Sequence, residues 1–200
     1  MPDMRISERH FVSQVKKIVA CLTKCKDTRQ LLEEIHTIIG EVLYAENFYV
    51  VLMNDSGDLH FPYFVDSVDT FSEETLNQLS LEDIHSSLTY FALTSNIDCN
   101  FTKCEIEQLQ RESVVNLVGS LPEQWMCFPL LTDDSKLGAF VIQSYRSENE
   151  YDHNAIELLK AISHVMSSAM EAFNIQEELA YANTSLQAYQ EKLEALIQVR

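Results

Sequence analysis

The feature that most constrains this chain is an arrangement that occurs twice: two apolar runs flanking a short polar turn. "FYVVLMNDSGDLHFPYFVD" sets β-branched and aromatic residues on either side of Asn54-Asp55-Ser56-Gly57-Asp58. "WMCFPLLTDDSKLGAFVIQSY" does the same around Thr132-Asp133-Asp134-Ser135-Lys136, with Gly138 opening the second run. Each reads as a β-hairpin. Phe48 to Met53 is apolar on both faces, as a central strand covered on both sides should be. A sheet covered twice needs two further layers, and the rest of the chain must supply them.

Helical spacing flanks the hairpins. Phe11, Val15, Ile18, Val19 and Leu22 predict an amphipathic helix over about 7–25. Asp27 with Gln30 forms a capping-box start, followed by the stripe Leu31, Leu32, Ile35, Ile38, Ile39 and Val42. From about Asp152 one helical pattern runs to the last residue. The stretch 67–122 is less regular: "SEETLNQLS" and "LTYFALTSN" predict short helices, and "TKCEIEQLQRE" another with Thr102 and Glu105 as its capping box. Mixed short elements are the usual character of a segment that covers a site. The expectation is an α+β fold: one antiparallel sheet, a helical layer on one face, a variable cap on the other.

Charge and cysteine content narrow the function. The 14 Lys and Arg face 31 Asp and Glu, a formal charge of −17. That balance excludes nucleic acid, which demands clustered cations, and an anionic membrane surface. No apolar run approaches the roughly 20 residues of a membrane span, and the first residues lack the apolar core of a signal peptide. The reading is cytoplasmic, with no membrane insertion. Cys21, Cys25, Cys99, Cys104 and Cys127 are odd in number and show no CxxC pair, and the six histidines fall on separate elements. Neither pattern assigns a metal.

The order of these pieces resembles the GAF domain. "WMCFPLLTDDSKLGAFVIQSYRSENEYDHNAIELLKAISHVMSSAMEAF" resembles its C-terminal half, "FYVVLMNDSGDLHFPYFVDSVD" its first hairpin, and "LTYFALTSN" a helix of its middle. The resemblance covers roughly residues 8–174. With Phe61-Pro62-Tyr63-Phe64-Val65-Asp66 it is similar to GAF domains that precede bacterial GGDEF diguanylate cyclases or histidine kinases. It implies a sensory module that relays a signal to an effector, with no catalytic residue of its own. Neither effector's signature occurs in this sequence. There is no Asn-Lys dipeptide, as cyclic-nucleotide binders of the family carry, and no Cys followed by His, as covalent bilin binders carry. The small-molecule partner stays unidentified and the cofactor unknown.

Candidate site residues follow. Gln143 interrupts an apolar strand, and a buried amide without partners costs about 1–3 kcal/mol. It is therefore placed on a pocket face, with Tyr63, Phe91 and Phe128 lining the same cavity. A rival reading is a thiol-redox protein of this fold using Cys99, Cys104 and Cys127, with Lys103 and a capped helix start beside Cys104. A third is a dimerisation module whose pocket binds nothing.

The last helix carries a heptad. Leu179, Leu186 and Leu193 occupy a positions, and Ile175, Ala182, Tyr189 and Leu196 occupy d, with Ala172 an earlier a. This pattern predicts a homodimeric coiled coil. The chain divides accordingly into a sensory domain at 1–174 and a coiled-coil signalling helix at 175–200.

Overall fold

The computed structural model describes residues 8–22, 24–54, 56–95, 97–133, 135–148 and 150–198, without the side chains of 8–11, 22, 73, 177, 191 and 193–198. Helices α1 (Glu8–Leu22) and α2 (Thr28–Gly40) lead into strands β1 (Phe48–Met53) and β2 (Leu59–Val65). Three short helices follow, α3 (Glu73–Leu76), α4 (Leu88–Ser95) and α5 (Lys103–Arg111), with strand β3 (Cys99–Thr102) between the last two. Strands β4 (Gln124–Leu131) and β5 (Lys136–Ser144) precede the long α6 (His153–Gln198). The sheet is antiparallel in the order β2-β1-β5-β4-β3. The expected α+β architecture is the one observed. The addition is β3, a four-residue edge strand too short to show a period in the sequence and held by β4 alone.

Local chemistry explains the element starts. The Asp27 carboxylate accepts the Gln30 amide at 2.8 Å, while the Gln30 side chain accepts Lys26 N–H, one residue before the cap. Glu105 accepts both the Thr102 amide and its hydroxyl at the start of α5. Gly138 answers a packing demand: a Cβ there would lie 2.0 Å from the Val51 carbonyl oxygen, so only glycine lets β1 close against β5.

Two cores sandwich the sheet. One face carries Phe48, Val50, Phe128, Phe140 and Ile142 against α1, α2 and α6. The other carries Tyr49, Val51, Trp125, Cys127 and Val141 against the 67–122 cap. In α2 the expected Leu31, Leu32, Ile35, Ile38 and Ile39 are buried, while Val42 lies past the helix end and is half-buried. On α1, Val15 and Ile18 pack inward but Val19 is 48% exposed, so the buried stripe is narrower than its spacing suggested. Phe11 and Leu22 lie outside the described side chains. Core residues on α6 run from Ala155 to Phe173. Among the described residues, no helix is long and apolar enough to cross a membrane.

Candidate ligand-binding site

The cap does not seal the sheet. Between them is a cavity of about 180 Å³. Its sheet side is Tyr49, Phe61, Phe64 and Trp125; its cap side includes Leu76, Leu79, Ile84, Leu88 and Leu117. Phe71 and Val118 also line it and are 43% and 61% exposed, which marks its mouth. An engineered apolar cavity of about 150 Å³ takes up benzene, so this one accommodates a single ring with a short substituent.

One wall is polar. Gln143 comes from β5, whose alternation puts it on the cap-facing side with Ala139 and Val141. It is only 8% exposed. Its Nε2 donates to Asp66 Oδ2 at 2.6 Å and to the Tyr145 hydroxyl at 2.9 Å. The carboxylate can only accept, so this amide orientation is set by chemistry. Asp66 Oδ1 accepts the amides of Val68 and Asp69, which folds the chain after β2 back toward the sheet. Asp69 in turn accepts the Ser120 amide at 2.7 Å and its hydroxyl at 2.8 Å, clasping the two ends of the cap together.

Gly119 is part of that clasp. Its φ is +88°, and a Cβ would stand 2.4 Å from an Asp69 carboxylate oxygen. Further in, Asn116 N–H donates to the Ser86 carbonyl at 2.6 Å, with Ser86 itself at φ 67°. Tyr49 and Thr89 share a hydroxyl–hydroxyl contact of 2.8 Å at the cavity wall.

Tyr145 sits between the two acids, 3.4 Å from Asp66 and 3.3 Å from Asp69. Burial, and then the negative charge of Asp66 and of Asp69, pushes its phenol well above the ordinary tyrosine range. The phenol has one proton, so at any moment it can serve only one of the two carboxylates. Both contacts are long for an O–H···O bond.

The four residues expected to share a pocket are divided by the sheet. Gln143 lines the cavity. Tyr63 and Phe128 lie on the opposite face, in the helical-layer core. The reason is register: Phe128 pairs with Phe140 and Tyr63 with Val50, and directly paired residues share a face. Tyr63 instead bonds His36 Nδ1 at 2.8 Å, and Phe128 stacks on Phe140 with centroids 5.0 Å apart. Phe91 is on the cap side, but it packs against Phe101 outside the cavity lining. Sequence reading missed Asp66, Asp69, Ser120 and Tyr145. Two aspartates three residues apart after an apolar strand were the available sign.

The thiols are dispersed. Cys99 and Cys127 are paired across β3 and β4 and both are buried, which pushes their thiols up, away from the reactive thiolate. Cys104 is exposed on α5, and the neighbouring Lys103 is engaged by Glu123 at 2.6 Å. Among the described residues, no group of three His, Cys, Asp or Glu is placed to hold a metal.

No protein-family model matches the sequence, and no curated protein does. Solved structures do. The GAF domain of a phosphoenolpyruvate-protein phosphotransferase from Coxiella burnetii superposes with a TM-score of 0.68 at 11% identity, covering 86% of this chain and 99% of that one. The fold is that of a GAF domain. The phycocyanobilin-bound GAF domain of a cyanobacterial phytochrome is similar at TM-score 0.59 and 9% identity, over 83% and 96% of the two chains. So is free methionine-R-sulfoxide reductase from Neisseria meningitidis in complex with its substrate, at 0.63 and 12%, over 86% and 96%. The fold thus serves both ligand-holding and catalytic proteins.

Proposed function

We propose that this chain is a sensory GAF module: it binds a small molecule between sheet and cap, and relays occupancy through α6 to an effector such as a diguanylate cyclase or histidine kinase. The observation that carries this reading is the cavity, apolar on most sides, with Gln143, Asp66 and Asp69 converging on one wall. A few convergent polar groups in an apolar concavity are the usual make-up of a ligand site. The clasp between Asp69 and Ser120 gives the relay a starting point, because it joins the cap's two ends at the edge of the cavity. The relay's far end is a homodimer paired along α6, where Ile175, Leu179, Leu186 and Tyr189 are all more than half exposed in the single chain. Of the three cysteines in the thiol reading, Cys99 and Cys127 are buried and the lysine beside Cys104 is held by Glu123, so that reading has no comparable support.

Native mass spectrometry of the chain purified from its own host tests this reading, paired with amide exchange before and after mild stripping. A bound small mass is expected, and its removal should speed exchange across 67–122 while β1 and β5 stay protected. A chain that carries no mass and exchanges identically after stripping is an empty scaffold. A mass whose loss changes only α1 and α6 belongs to the dimer interface instead.

A further inference from the structure

The lining of this cavity carries charge of one sign. Asp66, Asp69 and Asp83 contribute carboxylates, and among the described lining residues there is no Lys, Arg or His. Asp83 is committed to the Ser80 amide and hydroxyl at 2.8 and 2.6 Å. Asp66 and Asp69 are also held, by the Val68 and Asp69 amides with Gln143 and by the Ser120 amide and hydroxyl respectively, but they stand close enough to share a further partner. Both reach the Tyr145 hydroxyl, which has one proton for the pair, and no ion pair reaches either among the described residues. Two carboxylates sharing a part-buried site repel, and an opposite charge nearby relieves this.

Gln143 supplies the independent observation. Its Nε2 is held by Asp66 and Tyr145. Its Oε1 has no hydrogen-bond donor among the described residues, and the residue, 8% exposed, lines the cavity, so this atom is open to whatever fills it. An acceptor left open inside a cavity asks for a donor from whatever occupies it. Tyr49, Phe64 and Trp125 line the same cavity, and aromatic ring faces attract cations and repel anions.

Resting on the reading of this cavity as a ligand site, we infer that its occupant is a small organic cation: an ammonium on one aromatic or branched-apolar group. The three N–H donors of a primary ammonium match the three acceptors of this wall, one from each of Asp66, Asp69 and Gln143. The ring or branched group fills the apolar remainder. The same wall rejects carboxylates and phosphates, which would add negative charge beside two unneutralised acids.

The test is calorimetric titration of the whole chain with three probes of similar shape: phenethylamine, 2-phenylethanol and phenylacetate. Phenethylamine should bind at least about ten-fold tighter than the alcohol, and phenylacetate should show no binding. Asp66→Asn and Asp69→Asn should each weaken the amine by about ten-fold or more and weaken the alcohol by clearly less. That second readout separates a lost charge from a disturbed cavity. If the alcohol or phenylacetate binds as tightly as the amine, the cavity still holds ligands and the cation inference fails. Amine binding that is indifferent to both aspartate changes places the cation elsewhere and also overturns it. No heat from any probe, with cap exchange unchanged by each, overturns the cation inference, while the ligand-site reading is decided separately by the mass carried from the host.

Discussion

At the scale of single residues, Gln143 matters for what it holds as much as for what it faces. In the sequence it is an amide interrupting an apolar strand. The structure surrounds it with Asp66 and Tyr145, and its 2.6 Å bond is the shortest contact Asp66 makes with a donor. Gln143→Leu would leave that carboxylate with a long, shared phenol contact on one oxygen. We expect a loss of about 1–3 kcal/mol, the range for a buried partner left unsatisfied, read from urea unfolding. Unchanged stability would mean water replaces the amide at no net cost. The neighbourhood that decides this was illegible in the sequence, because Asp66 and Gln143 are 77 residues apart. What could be read was only that Gln143 needed partners.

At the scale of elements, α6 is one helix doing two jobs. Its 46 residues extend about 70 Å at 1.5 Å per residue, and only the part up to Phe173 packs on the domain. Beyond it, Leu179 and Leu186 are 58% and 61% exposed. The side chains of Leu193 and Leu196, the other heptad positions, lie outside the described residues. Pairing two copies would remove these leucines from water, each worth about 1.5–3 kcal/mol when fully buried. The double change Leu179→Glu, Leu186→Glu should weaken self-association by about a hundred-fold or more, seen by sedimentation equilibrium, with unfolding of the domain itself unaltered. Association that survives the double change assigns the dimer contact to another surface. This heptad was legible because an a/d pattern is local. On the domain face of α6 the residues that pack against the core end at Phe173.

At the scale of the whole molecule, both cores and the site between cap and sheet contain phenols held out of water. Tyr49, Tyr145 and Tyr151 are each pushed above the ordinary value of 10.0, in every case first by burial. A raised folded-state pKa means the neutral form is preferred in the fold. The stabilisation is therefore complete below pH 10, the unfolded value, and is lost as pH climbs beyond it. Urea midpoints should hold level to about pH 9 and fall steeply by about pH 11. Lysines also titrate there, so Tyr145→Phe is the informative comparison: its midpoint should fall less than the wild type's over the same range. An equal fall would show that Tyr145 ionises as readily folded as unfolded.

Two things about this protein were settled by its sequence alone. The alternation and turn chemistry of two hairpins, with helical stripes on either side, specify an antiparallel sheet between two layers, because period and turn type are properties of neighbouring residues. The same locality exposed the heptad of α6. Which residues meet was decided only by tertiary structure. Tyr63 and Phe128 look as suited to a pocket as Tyr49 and Trp125 do, and register alone puts the first pair behind the sheet and the second pair in the cavity. The acidic wall is likewise assembled from a strand end, a loop and a second strand's exit. Its charge arises from separation in sequence brought to contact in space, which no local pattern records.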